Sequence, residues 1–148
     1  MSGVLNWVNE WHRRACPQPD DKAFNVQLGC HLEEIAEMLA WLNGSDVKTA
    51  DILKRTMHHV DALAQMLKHG SGNAIIADRR EFLDSLADQI VTATGVGYRA
   101  KMDVPNAVTE VDISNWSKFD ENGQPILNEF GKIAKGPNYK PPVLDGLY

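Results

Sequence analysis

The sequence predicts an all-α protein: a bundle of four or five helices followed by an irregular C-terminal arm. Apolar residues recur at three- and four-residue spacings in five successive segments, Pro, Gly, Asn and Asp separate those segments, and no run alternates as a strand would. With 148 residues, 43% hydrophobic and 24% charged, the chain has material for a single domain with a core. The helical part is expected over about 3–119 and the arm over 120–148.

The first helix is predicted over residues 3–15, where Val4, Trp7, Val8 and Trp11 form an i, i+3, i+4, i+7 stripe. Pro17 and Pro19 in "CPQPDD" then end it. A second helix runs from about Phe24 to Trp41, with Gly44 placed to close it and Ser45 or Asp46 to cap the next. The third, about 46–69, carries Val47, Ala50, Leu53, Met57, Val60, Ala64 and Leu67 and ends in "HGSGN". The fourth, from about Asp78 to Lys101, places Phe82, Leu83, Leu86, Ile90 and Val91 on its inner side. The fifth opens at Asp103, with Pro105 in its first turn, and runs to about Phe119. Beyond Asp120 the text is rich in Gly, Pro and Asn. A short hairpin is expected around Asn122–Gly123, and so long an irregular tail on a compact domain is normally functional.

Composition narrows the function. A net charge of −5 argues against a surface that coats nucleic acid, since that affinity comes from many Lys and Arg contacts to phosphate. No apolar run approaches the roughly 20 residues of a membrane span, and the start "MSGVLNWVNEWHRR" is too polar for a signal peptide. Cys16 and Cys30 match no zinc spacing, and free thiols in a reducing, cytoplasmic setting are expected.

The chemistry concentrates in two acidic stretches. In "CHLEEIAEMLAWLNG", Glu34 and Glu37 are at i, i+3 and Glu33 stands at i, i+4 to Glu37, each residue advancing by about 100°. In "EFLDSLAD", Glu81, Asp84 and Asp88 fall at i, i+3, i+7. Two such helices side by side would gather six like charges, which repel unless a cation neutralises them. Mg²⁺ and Mn²⁺ prefer oxygen ligands and suit carboxylates combined with substrate phosphates. Either stretch alone also reads as a solvated helix face, with Glu81 paired to Arg79 or Arg80 at the surface.

"HLEEIAEM" followed by "EFLDSLADQIVTATGVGYRA" resembles the EExxE…ExxD pattern of the all-α nucleoside triphosphate pyrophosphohydrolases, the MazG-like group. The tail stretches "SNWSKFDENGQPI" and "GKIAKGPNYKPP" resemble the C-terminal segments of its single-domain phage and bacterial members, so the likeness spans roughly residues 24–142. The resemblance implies that Glu34, Glu37, Glu81 and Asp84 bind two or more Mg²⁺ or Mn²⁺ ions. Glu33 and Asp88 would serve as further ligands or water-orienting bases. It further implies that Asn115, Lys118, Lys132, Lys135 and Tyr139 approach the phosphates or sugar of a nucleoside triphosphate, across a subunit boundary in a dimer or dimer of dimers. The implied reaction releases monophosphate and pyrophosphate, with dGTP to dGMP one form of it in a phage-like setting. The chain departs from the pattern in the whole helix, about 46–69, between its two halves. The alternative is a helical oligomerisation module that binds nucleotide or metal without turnover.

Other residues carry weaker signals. His58 and His59 are adjacent and cannot both face one metal from a regular helix. Gly95 and Gly97 fit close helix approach rather than a dinucleotide loop, because no strand precedes them. Trp7, Trp11 and Trp41 read as core or interface anchors, with base stacking by Trp7 or Trp11 as the alternative. Asn25 and Gln27 could read a base edge. Cys16 and Cys30 read as small buried hydrophobes.

Overall fold

Four aspartates fix where four of the five helices begin. In the computed structural model, which describes residues 3–148, the side chains of Asp20, Asp46, Asp78 and Asp103 accept first-turn N–H groups from Ala23 (2.7 Å), Thr49 (2.9 Å), Arg80 (2.9 Å) and Asn106 (3.2 Å). Each satisfies a donor that the helix itself leaves orphaned, worth about 1 kcal/mol. The helices are α1 (Val4–Ala15), α2 (Asp21–Ala40), α3 (Val47–Lys68), α4 (Arg79–Arg99) and α5 (Val104–Trp116). The protein is therefore all-α, and among the described residues β-pairing is confined to an isolated antiparallel bridge, Leu127 to Ile133.

Element ends differ from expectation for local reasons. Helix α2 starts at Asp21 rather than near Phe24 because Asp20 caps it directly after Pro19. Asp46, not Ser45, caps α3. Gly44 does not close α2 in a left-handed turn; its backbone lies against Ala50. Helix α5 stops at Trp116, where the Ser117 hydroxyl donates to Ser114 O (2.7 Å) and accepts from Lys140 N (2.8 Å). At Asp120–Gln124 the chain turns as an Asp-centred loop, with Asp120 Oδ1 accepting from Asn122 N and Gln124 N. The antiparallel pairing lies further on, closing over 128–132.

The described residues divide into two compact units, one of residues 3–17, 76–128 and 133–148, the other of 18–75 and 129–132. The second is an antiparallel pair, α2 on α3, packed through Val26, Gly29 and Ala36 of α2 and Ala64 and Leu67 of α3. Gly29 permits that approach: a Cβ there would stand 2.7 Å from Lys68 Cγ and 2.8 Å from Ala64 O. Asn25 ties the following loop down. Its buried amide accepts from Ala74 N (2.6 Å) and donates to Asp21 O (2.9 Å) and Ala74 O (3.3 Å), so it is occupied by backbone and does not present a base-reading edge. Replacing Asn25 with Ala leaves half-buried backbone groups of Ala74 without their partner and is expected to cost about 1 kcal/mol, read as a lower midpoint in urea unfolding.

In the first unit α1 packs on α5 through Trp11, whose Nε1 donates to Asn115 O (2.9 Å) and whose ring stacks on buried Phe119 at 5.9 Å between centroids. Trp11 is thus a core anchor, while Trp7 and Trp41 are exposed. Helix α4 meets α5 at its C-terminal end, where Gly97, its only buried residue, leaves space that Val104 fills. The rest of its apolar face does not lie inward as expected. Phe82 and Leu86 are half-buried, but Leu83 and Val91 are each 68% exposed, and Ile90, Val96 and Tyr98 are exposed as well.

Candidate functional site

The three acids of α2 divide between two faces. Glu33 points at α3, where Oε1 accepts from Lys68 Nζ (2.5 Å) and Gln65 Nε2 (3.4 Å) and Oε2 from Lys132 Nζ (3.5 Å). Burial alone would raise its pKa; the Lys68 hydrogen bond, helped by Lys132 and Gln65, outweighs that and holds the carboxyl below its ordinary value. Lys68 and Gln65 carried no signal in the sequence, because their meeting with Glu33 depends on the α2–α3 register. Glu34 and Glu37 are exposed and share a stripe with exposed Met38 and Trp41 at i, i+3, i+4, i+7.

In the other unit Glu81, Asp84 and Asp88 form the expected stripe on α4, all exposed, with Glu81 paired to Arg80. Asp84 and Asp88 lie one turn apart. The two carboxylate stripes belong to different units. Within neither unit, among the described residues, do three His, Cys, Asp or Glu side chains gather as a metal-binding group. The donors on each stripe are nevertheless hard carboxylate oxygens, the chemistry that Mg²⁺ and Mn²⁺ take, and each helix supplies an exposed pair.

The other expected residues fall into two groups. Asn115, Lys118, Lys135 and Tyr139 lie in the first unit, around the end of α5. There Lys118 Nζ donates to Asn115 Oδ1 (2.7 Å), and the Lys135 ammonium sits 4.7 Å from the centroid of the Tyr139 ring. The arm is pinned beside them, with Ser114 Oγ donating to Lys140 O (2.7 Å). Lys132 belongs instead to the second unit, on Glu33. An open cleft of about 290 Å³ at the end of the α2–α3 pair is lined by Leu39, Leu42, Leu53, Lys54 and Met57, with none of the carboxylates in its wall. Cys16 and Cys30 are free and half-buried.

A buried polar cluster went unread in the sequence. Asp112 is 3% exposed on α5, and its Oδ1 and Trp116 Nε1 are sealed from solvent without a hydrogen bond of normal geometry. Burial raises the Asp112 pKa; the nearby indole N–H and the His12 imidazole only partly oppose this. Burial likewise lowers the pKa of His12, opposed by Asp112. A folded-state His pKa held below the unfolded value near 6.5 contributes stability that is full above that value and is lost as pH falls through the folded pKa. The His12 contribution to thermal stability, followed by Trp fluorescence as the difference between the native chain and His12→Gln, is expected to be lost between pH 7 and pH 5, while Asp112, whose raised pKa favours proton uptake by the folded state, works against that loss in the native chain. An unchanged pH slope in the variant would contradict this.

No family model matches the chain, and neither does any curated protein or solved structure. Among the described residues no helix is long and apolar enough to cross a membrane.

Proposed function

We propose that the protein is a metal-dependent pyrophosphohydrolase that converts a nucleoside or deoxynucleoside triphosphate to the monophosphate and pyrophosphate. The observation that carries this reading is the pair of exposed carboxylate stripes, Glu34 and Glu37 on α2 and Glu81, Asp84 and Asp88 on α4, in the EExxE…ExxD order. Glu34, Glu37, Glu81 and Asp84 would hold Mg²⁺ or Mn²⁺, two or more ions in all. When bound, such ions neutralise phosphate charge and lower the pKa of a water. The chain's own residues do the rest: Asp88 accepts the proton of the attacking water, and Lys118 and Lys135 offset charge on the departing pyrophosphate.

The site is completed in a homo-oligomer, a dimer or dimer of dimers, through the apolar face of α4. A helix about 31 Å long with Leu83 and Ile90 exposed on one face does not hold its shape by propensity alone. A second copy suits it. An antiparallel pairing sets the first half, where Glu81, Asp84 and Asp88 outnumber Arg79 and Arg80 by one charge, opposite the basic end at Arg99 and Lys101.

Titration of Mn²⁺, followed by its electron spin resonance signal in the presence of a non-hydrolysable triphosphate, tests the metal site. Binding weakened alike by Glu37→Ala and by Asp84→Ala supports one site drawn from both helices. Loss from only one of them contradicts it.

A further inference from the structure

The open cleft at the end of the α2–α3 pair lies wholly within one unit and has none of the stripe carboxylates in its wall. Its shape follows from the turn. Gly44 lets residues 41–46 close directly on α3, since a Cβ there would stand 2.6 Å from Ala50 Cα and 2.8 Å from Thr49 C. Turn and helix ends together leave a concave floor of Leu39, Leu53 and Met57, with Ala50 at its side.

Two kinds of group at this cleft are not used by the fold. The first is apolar. Trp41, at the end of α2 between the lining residues Ala40 and Leu42, is 87% exposed, and Leu42 is exposed beside it. Single exposed apolar side chains are ordinary, but a cluster of them around a concavity marks a binding surface. The second is polar. Lys54 and Asn43 line the cleft, and neither side chain makes a hydrogen bond or ion pair among the described residues. On the same helix Arg55 pairs with Asp51 and Lys68 with Glu33. Asp46 already accepts the first-turn N–H of Thr49, so the charge offered to a ligand is that of Lys54 rather than of the helix end.

We infer that the cleft is a binding site for a small amphipathic monoanion, an apolar body of about ten heavy atoms in all that carries one carboxylate. The size follows from a volume of about 290 Å³, at ~30 Å³ per heavy atom, the share of a water molecule in the liquid. The charge follows from the single ammonium, which neutralises one carboxylate and would leave a polyphosphate largely uncompensated against apolar walls. The body packs on Leu39, Leu53 and Met57, the carboxylate meets Lys54 Nζ, and the Asn43 amide is a second donor. The site shares no residue with the proposed metal centre and does not depend on that reading.

The probe is octanoate, which matches that size, titrated into the full chain below its micelle concentration. Trp fluorescence and the methyl NMR signals of Leu39, Leu53 and Met57 are expected to follow one saturable transition. Octylammonium, with the same body and the opposite charge, is expected not to bind, a comparison that needs no variant. Lys54→Gln weakens octanoate binding by about two- to fivefold, and Lys54→Arg restores it. Circular dichroism melts verify that both variants keep the fold. Equal binding of the two probes, equal affinity in folded Lys54→Gln, or no saturable shift with octanoate overturns the proposal. A native chain whose association is lost in Trp41→Ala would place a second copy in the cleft instead, and overturns it as well.

Discussion

On the proposed function, replacing Glu37 with Ala is expected to reduce turnover of the triphosphate by at least about 10²–10³-fold, and Asp84→Ala to do the same, because each would remove a fixed charge from the proposed metal site. Both side chains are exposed on their helices, so stability should change by no more than about 0.5 kcal/mol. The two losses are not additive. If Glu37 and Asp84 serve one site, the double variant is scarcely worse than either single one. Steady-state rates for the three variants at saturating Mg²⁺, with melting curves alongside, check this. Independent, multiplying losses would mean that the two helices act at separate places.

Leu83→Asp combined with Ile90→Asp is expected to break the proposed assembly through α4. The two positions lie seven residues apart on one exposed face of α4, well away from the stripe of Glu81, Asp84 and Asp88. A carboxylate buried without a partner costs several kcal/mol, and a total of about 4 kcal/mol raises a dissociation constant roughly a thousandfold. Sedimentation velocity should show the native chain as dimers or tetramers at micromolar concentration and the variant as monomers. In the isolated chain both positions are already wet, so the fold of each unit should survive. A native chain that sediments as a monomer contradicts the role given to α4.

What the sequence made legible was local. The five helices follow from three- and four-residue apolar spacings, and their starts from aspartates that act within three residues of themselves. The errors at the ends of α2 and α5 have different origins. Asp20 offered a cap that the two prolines obscured, whereas the stop after Trp116 depends on Lys140, more than twenty residues away. The acidic stripes were legible for the same local reason as the helices. Their surroundings were not: nothing in "HLEEIAEM" tells Glu33 from Glu34, yet one faces Lys68 and the other faces solvent, because α3 returns on one side of α2 only.

The same limit applies to the polar residues. Asn25, offered by the sequence as a reader of a base edge, instead holds Ala74, forty-nine positions on. Asp112 and His12 are a hundred positions apart, and only the packing of α1 on α5 brings them together. Lys132 was legible as a basic residue of the arm, but its meeting with Glu33 joins residues ninety-nine positions apart.

The most direct test of the central claim is to incubate the pure protein with each ribo- and deoxynucleoside triphosphate, with Mg²⁺, Mn²⁺ or EDTA, and to separate the products by chromatography. Monophosphate and pyrophosphate, formed with metal, absent in EDTA and absent with Glu37→Ala, are the predicted result, and the base consumed fastest names the substrate. Diphosphate with orthophosphate, or no product from any nucleotide, would contradict a pyrophosphohydrolase; the latter, with Mn²⁺ still bound, would leave a nucleotide-binding helical module in its place.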